Sequence, residues 1–283
     1  MESDEAASNA QKKLPDVLIR MCIPLSSSLQ FDPEWIKNRF ASQWKIKVAC
    51  GQVDFPGKFD HEHETFIMGN GKNNMVLNLV HGPMPDWLSD VAAYQAALID
   101  GSEASLLRGN KAHLLVDYHF GSEPPVEQVR FSARTLLTVM ELNGSIGYLN
   151  FPAQLYRPKS WVQSYFERNA LERLDNYVLY LLFTCYQIVT NDDYWLHTHG
   201  MEQFGLPDME VRFKHKDQEG FYKELLGDAA LHNMEEASKL NPGDTFERRG
   251  DGLIYRIAES KPDPQHPFGK FGAIEFERFG TGK

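Results

Sequence analysis

Residues 65–80 constrain the fold of this chain more than any other stretch. Two β-rich apolar runs, 65–68 and 75–80, flank Gly69-Asn70-Gly71, and a short link of that composition between such runs closes an antiparallel hairpin. Further strands are readable on both sides. Val17, Ile19, Met21 and Ile23 alternate onto one face of a strand over 17–24, which Pro24 ends. Residues 45–53, 112–120 and 145–149 read as additional strands.

Helices are interspersed among them. Asp32 is a good N-cap and Pro33 suits the first helical position, so a helix runs from there through Trp35, Ile36 and Phe40. Asp86 starts a second, with Trp87, Val91, Tyr94 and Leu98 recurring at spacings of three and four. Val126, Val129, Ala133, Leu136, Leu137 and Met140 mark an amphipathic helix that Gly144 stops.

After a segment over 157–173 comes a β-rich run, 177–189, whose periodicity is also compatible with a buried helix. A polar segment, 192–205, leads to a strand over 209–213. A helix over 218–239 follows, with Phe221, Leu225, Ala229 and His232 on one stripe. Strands at 253–258 and 272–279 finish the chain.

A plain hairpin, interspersed helices and no Gly-rich turn from strand to helix imply an α+β fold: a mixed or antiparallel sheet or sheets with helices packed on one face. Two ferredoxin-like halves are one arrangement such strand-helix-strand units can take. The expected organisation is a disordered tail over 1–14, an N-terminal α+β half over 15–155 and a C-terminal α+β half over 156–283, packed as one unit.

Composition narrows the function classes. Lys and Arg total 29 against 39 Asp and Glu, a formal charge of -10 without a long basic block. Phosphate-neutralising surfaces need clustered cations, so neither nucleic acid nor an anionic membrane is expected as a partner. The acidic start and the absence of a long apolar segment point to a cytoplasmic protein. Cys22, Cys50 and Cys185 lie far apart in apolar segments, which suits buried, inert thiols.

The most distinctive stretch is Trp195-Leu196-His197-Thr198-His199-Gly200, continued by Phe204-Gly205-Leu206-Pro207-Asp208-Met209-Glu210. It resembles bacterial families of unknown function that carry Thr-x-Gly-x-x-x-Phe-Gly-x-x-acidic-x-Glu in the C-terminal half, here Thr198, Gly200, Phe204, Gly205, Asp208 and Glu210. The resemblance extends more weakly through the strand around His113, and implies a bacterial origin and a shared fold without an activity.

In an extended segment His197 and His199 point to the same side and could offer two imidazoles to one metal, with Glu210 or His215 as third ligand. The alternative is that these groups hydrogen-bond the local backbone. His61-Glu62-His63-Glu64 repeats the two-His pattern and reads as a solvated strand edge, while His113 and His232 sit on apolar faces. Trp35 and Trp87 occupy helix positions a core would use; Trp161 and Trp195 flank polar segments and could anchor a protein partner.

Neither Gly-x-Ser-x-Gly nor His-Glu-x-x-His occurs. The sequence therefore favours a non-enzymatic binding or interaction protein, either of immunity type or docking in a larger assembly, without a cofactor, over a metal-dependent hydrolase built on His197 and His199. The expected site is Trp195, His197, His199 and Glu210.

Overall fold

The structure is a computed structural model and describes residues 19–54, 61–97, 101–166, 168–190, 193–235, 239–248, 252–261 and 269–281. The expected tail over 1–14, Val17 and Leu98 lie outside the described residues. Among the described residues, thirteen strands form two sheets. The first contains β1 (Arg20–Leu25), β2 (Ala49–Val53), β3 (His63–Gly69), β4 (Asn73–Val80), β5 (Ala112–Gly121), β6 (Gly147–Asn150) and β7 (Leu155–Pro158). The second contains β8 (Cys185–Thr190), β9 (Tyr194–His199), β10 (Asp208–Phe213), β11 (Thr245–Glu247), β12 (Leu253–Glu259) and β13 (Ala273–Thr281). The helices are α1 (Pro33–Trp44), α2 (Asp86–Ala97), α3 (Gly101–Arg108), α4 (Pro125–Val139), α5 (Lys159–Tyr165), α6 (Arg168–Arg173), α7 (Asn176–Phe183) and α8 (Glu219–Glu235). No helix among the described residues is long and apolar enough to cross a membrane.

The first sheet is antiparallel throughout, in the order β2-β3-β4-β5-β1-β6-β7. The second, β11-β12-β13-β10-β9-β8, is mixed, because β10 and β13 run parallel. The chain is thus α+β, and sheets of seven and six strands are larger than ferredoxin-like halves would give. The hairpin pairs Gly69 with Asn74, and Asn70 Oδ1 accepts the N–H groups of Lys72 and Asn73 to close its turn.

Helix α4 is the centre of the molecule. It packs against α1, α7 and both β4 and β5, and apolar Val129, Ala133 and Leu136 are joined in burial by Ser132, Thr135 and Thr138. A helix buried nearly all round can carry these hydroxyls because its own carbonyls accept them, Ser132 to Gln128 and Thr135 to Phe131. Trp44 Nε1 donates to Thr138. One continuous apolar cluster runs from Ile19, Met21 and Ile23 through α4 and α7 to Leu225, Val211 and Ile274 in the second sheet and its helix.

Helices α2 and α3 pack on the opposite face of the first sheet, over Cys22, Leu149 and Tyr156. The stripe that α2 buries is Leu88, Ala92 and Ala93, not the one headed by Trp87 and Val91. Trp87 is 66% exposed and Val91 49%. Apolar spacing identified the helix, but two apolar stripes compete on it and small alanines fit closer to the sheet. The run over 177–189 divides: α7 takes its first part, capped by Asp175 accepting the N–H of Val178, and β8 takes the rest.

Candidate functional site

The segment expected to be a polar loop contains a strand, β9, paired on both sides. Trp195, His197 and His199 alternate onto one of its faces, and Glu210 on β10 stands opposite His197 in register. The four expected site residues are therefore together. Trp195 Nε1 donates to Glu210 Oε2 at 2.8 Å. The His197 ring lies 4.5 Å from the Trp195 ring and 4.7 Å, edge-on, from that of His199. All four are buried, so Trp195 anchors no surface. Among the described residues, no group of three or more His, Cys, Asp or Glu side chains is placed to hold a metal ion.

The remaining motif residues build the corner that follows β9. Thr198 Oγ1 donates to Asp208 Oδ1 and accepts the N–H of Met209, tying β9 to β10. Asp208 also accepts the N–H of Met201 at the start of the 3-10 turn Met201–Phe204. Gly200 has φ 101°, and a Cβ there would stand 2.4 Å from the Phe183 carbonyl oxygen, so only glycine fits.

From that turn Gln203 reaches into the first half of the chain. Its Nε2 donates to the Phe183 carbonyl and its Oε1 accepts from Asn150 Nδ2 on β6. Burial raises the Asp208 carboxyl to about 7 despite its N–H and O–H donors. Glu210 is also raised, again chiefly by burial. The motif is a sealed polar joint between the second sheet and the first.

An open site lies elsewhere, on the face of the first sheet beside α2. A groove of about 760 Å3 has Arg20, His61, Asn78, His113 and Asp117 on its polar side. Its apolar side includes Val80, Met84, Trp87, Leu88, Leu115 and Phe151. On β5, residues 113, 115 and 117 alternate inward to the groove, and Asn78 and Val80 do the same on β4, where they pair with Leu115 and His113. Sheet register alone thus sets the polar and apolar groups side by side.

Arg20, Asp117 and the Nδ1 of His113 are already engaged. Arg20 pairs with Asp117 directly across the β1–β5 ladder, Nε to Oδ1 at 2.7 Å and a second nitrogen to Oδ2 at 3.4 Å. Burial raises the Asp117 pKa even so, against the pull of Arg20. His113 bonds the Gly82 carbonyl through Nδ1 at 3.0 Å, and burial lowers its pKa. Held neutral, its Nδ1 must be the donor and its Nε2 an acceptor. The His61 ring lies against Gly82 so closely that a Cβ there would be 2.3 Å away.

His61 is exposed just ahead of β3, and β2 pairs with β3 only from Thr65 onward, so His61-Glu62-His63-Glu64 lies beyond the β2 pairing, consistent with the expected solvated edge. His113, expected as a hydrogen-bonded core or border histidine, is buried and bonded to Gly82, whereas Arg20, Asn78, Asp117 and Phe151 carried no signal in the sequence. Arg20 and Asp117 are 97 residues apart, and no local pattern marks a cross-strand pair at that separation. Trp161 stacks on Tyr165 at 4.7 Å beneath the Arg157 guanidinium, away from the groove.

A family model described as Domain of unknown function (DUF4261) matches residues 197–267. The matched stretch begins on β9 and takes in the corner of Thr198, Gly200 and Asp208. No curated protein and no solved structure matches the chain.

Proposed function

We propose that this chain is a non-enzymatic binding protein and that its ligand sits in the groove beside α2. The supporting observation is the state of the polar groups there. Arg20 and Asp117 neutralise each other and His113 is committed to the Gly82 carbonyl. No serine, threonine, cysteine or lysine is among the described lining residues, so no hydroxyl, thiol or amine nucleophile stands beside His61 and His113. A concave, mostly apolar wall with a few fixed polar groups is what binding sites use, and the volume falls within the usual range.

A protein partner is the second form of the same reading, supported by Trp87 and Val91. They stand one turn apart on α2, both exposed, and continue the apolar wall outward. An immunity-type interaction and a bacterial, cytoplasmic setting belong to this proposal; the sequence resemblance supports the bacterial origin, and the acidic composition fits an interaction protein. The hydrolase alternative has less support, because His197 and His199 are enclosed in the second sheet.

The test is a fragment screen by ligand-observed NMR on the purified chain, repeated with Trp87→Ala and Phe151→Ala. Fragments lost in both variants support the groove. Hits indifferent to both substitutions would place binding elsewhere, and turnover of a bound fragment would overturn the non-enzymatic reading.

A further inference from the structure

The groove's hydrogen-bonding pattern says what kind of ligand it can accept. Among the described residues, its one fixed cation is already paired. The Arg20 guanidinium is held by Asp117, and Asp86, the other carboxylate of the groove, occupies the first turn of α2, where the positive end of the helix dipole offsets it. An anion entering this site loses hydration and meets no unpaired cation, and a cation finds only Asp86, exposed and partly offset by the helix end, so the strand face between Asn78 and His113 favours a neutral group.

Apart from the His61 ring, the strand face leaves two hydrogen-bonding positions over, and they are complementary. Asn78 Oδ1 accepts the Thr65 hydroxyl at 2.8 Å, which orients the amide so that its N–H groups remain for the groove. His113, with Nδ1 donating to Gly82, presents the Nε2 lone pair. Val80 pairs with His113 and Asn78 with Leu115, so Asn78 and His113 are diagonal neighbours on one face of β4 and β5. Such neighbours lie within reach of a single planar group. Beside them Trp87, Phe151 and Leu115 offer an apolar wall with two aromatic faces.

We infer that the groove binds an uncharged planar amide or lactam carried on an aromatic body, its C=O accepting from Asn78 and its N–H donating to His113. This rests on the groove being the binding site, and specifies its ligand class.

Benzamide, benzoate and benzylammonium are near-isosteric probes that separate the possibilities. Titration of the full chain by calorimetry at pH 7.5 is expected to give a benzamide dissociation constant at least fivefold lower than either charged analogue's. Benzamide binding should weaken at least threefold in Trp87→Ala, an exposed position whose change leaves the fold intact. Asn78→Asp, which keeps an acceptor for Thr65 but removes the N–H donors, should erase the preference for benzamide. Its thermal melting is measured in parallel, and if that variant does not fold, the probe ranking on the wild type stands as the test.

Benzoate or benzylammonium binding as tightly as benzamide, with Trp87 dependence retained, overturns the ligand class and leaves the groove reading intact. Benzamide binding that ignores Trp87→Ala overturns the groove reading. Absence of saturable binding by all three overturns the ligand class, while fragments of other chemistry can still report on the groove.

Discussion

Thr198 and Asp208 are joined by a hydroxyl that works in both directions: Thr198 Oγ1 donates to Asp208 Oδ1 at 3.2 Å while accepting the N–H of Met209 at 2.9 Å. The pair locks β9 to β10 and turns the chain toward Gln203. Two of the motif's most recognisable residues thus act on the backbone of this joint.

Asp208 makes this joint sensitive to pH. Burial raises its pKa from the ordinary 3.8 to about 7 in the folded protein. The folded state therefore binds the proton more tightly than the unfolded chain, and the associated stability is complete below about pH 4 and lost as pH rises through about 7. Urea unfolding of the wild type and Asp208→Asn between pH 4 and 8 is expected to diverge by on the order of a few kcal/mol, the variant showing the shallower decline. Parallel pH profiles would refute the shift.

Gln203 links the two halves through Asn150 and the Phe183 carbonyl. Gln203→Ala leaves buried groups without partners and should cost about 1–3 kcal/mol. A cycle with Asn150→Ala is expected to show coupling of roughly 0.5–3 kcal/mol. Strict additivity in chemical denaturation would mean that the contact contributes nothing between the halves.

His199 separates a structural from a surface role for the motif. It is buried, edge-on to the His197 ring and opposite Cys185 in register. His199→Ala should lower stability by about 1–3 kcal/mol. An unchanged melting curve together with a weakened partner would return the binding site to this segment.

On α2 the two faces should respond oppositely. Leu88, 6% exposed, packs toward Cys22 and Leu149, and Leu88→Ala should cost about 2–5 kcal/mol. Trp87→Ala should change stability by no more than about 0.5 kcal/mol. Comparable losses at both positions would show that the helix is rotated from the orientation described.

The hydrolase alternative has its own measurement. Metal analysis of purified protein is expected to find less than stoichiometric zinc, iron or manganese. A full equivalent that disappears in the His197→Ala, His199→Ala double variant would establish the metal centre and displace the groove.

Local chemistry determined much of this protein without tertiary help. Asp32 followed by Pro33 capped α1 because the cap bond, Asp32 Oδ1 accepting the N–H of Glu34, is made within three residues. Gly69-Asn70-Gly71 closed the β3–β4 hairpin for the same reason. Both halves were readable as strands and helices, and the α+β class followed.

The tertiary structure decided what periodicity leaves open. Whether Trp87 or Leu88 faces inward depends on the space between α2 and the sheet, which no sequence window contains. Trp195, His197 and His199 have the composition of a polar loop, and they became a buried strand because β8 and β10 flank β9 on both sides. The groove needed Arg20, Asn78, His113 and Asp117, drawn from three strands that meet only when β4, β5 and β1 pair in register. Hydrogen-bond partners along the chain are fixed by short-range geometry, whereas a site assembled across strands exists only once long-range pairing has closed the sheet.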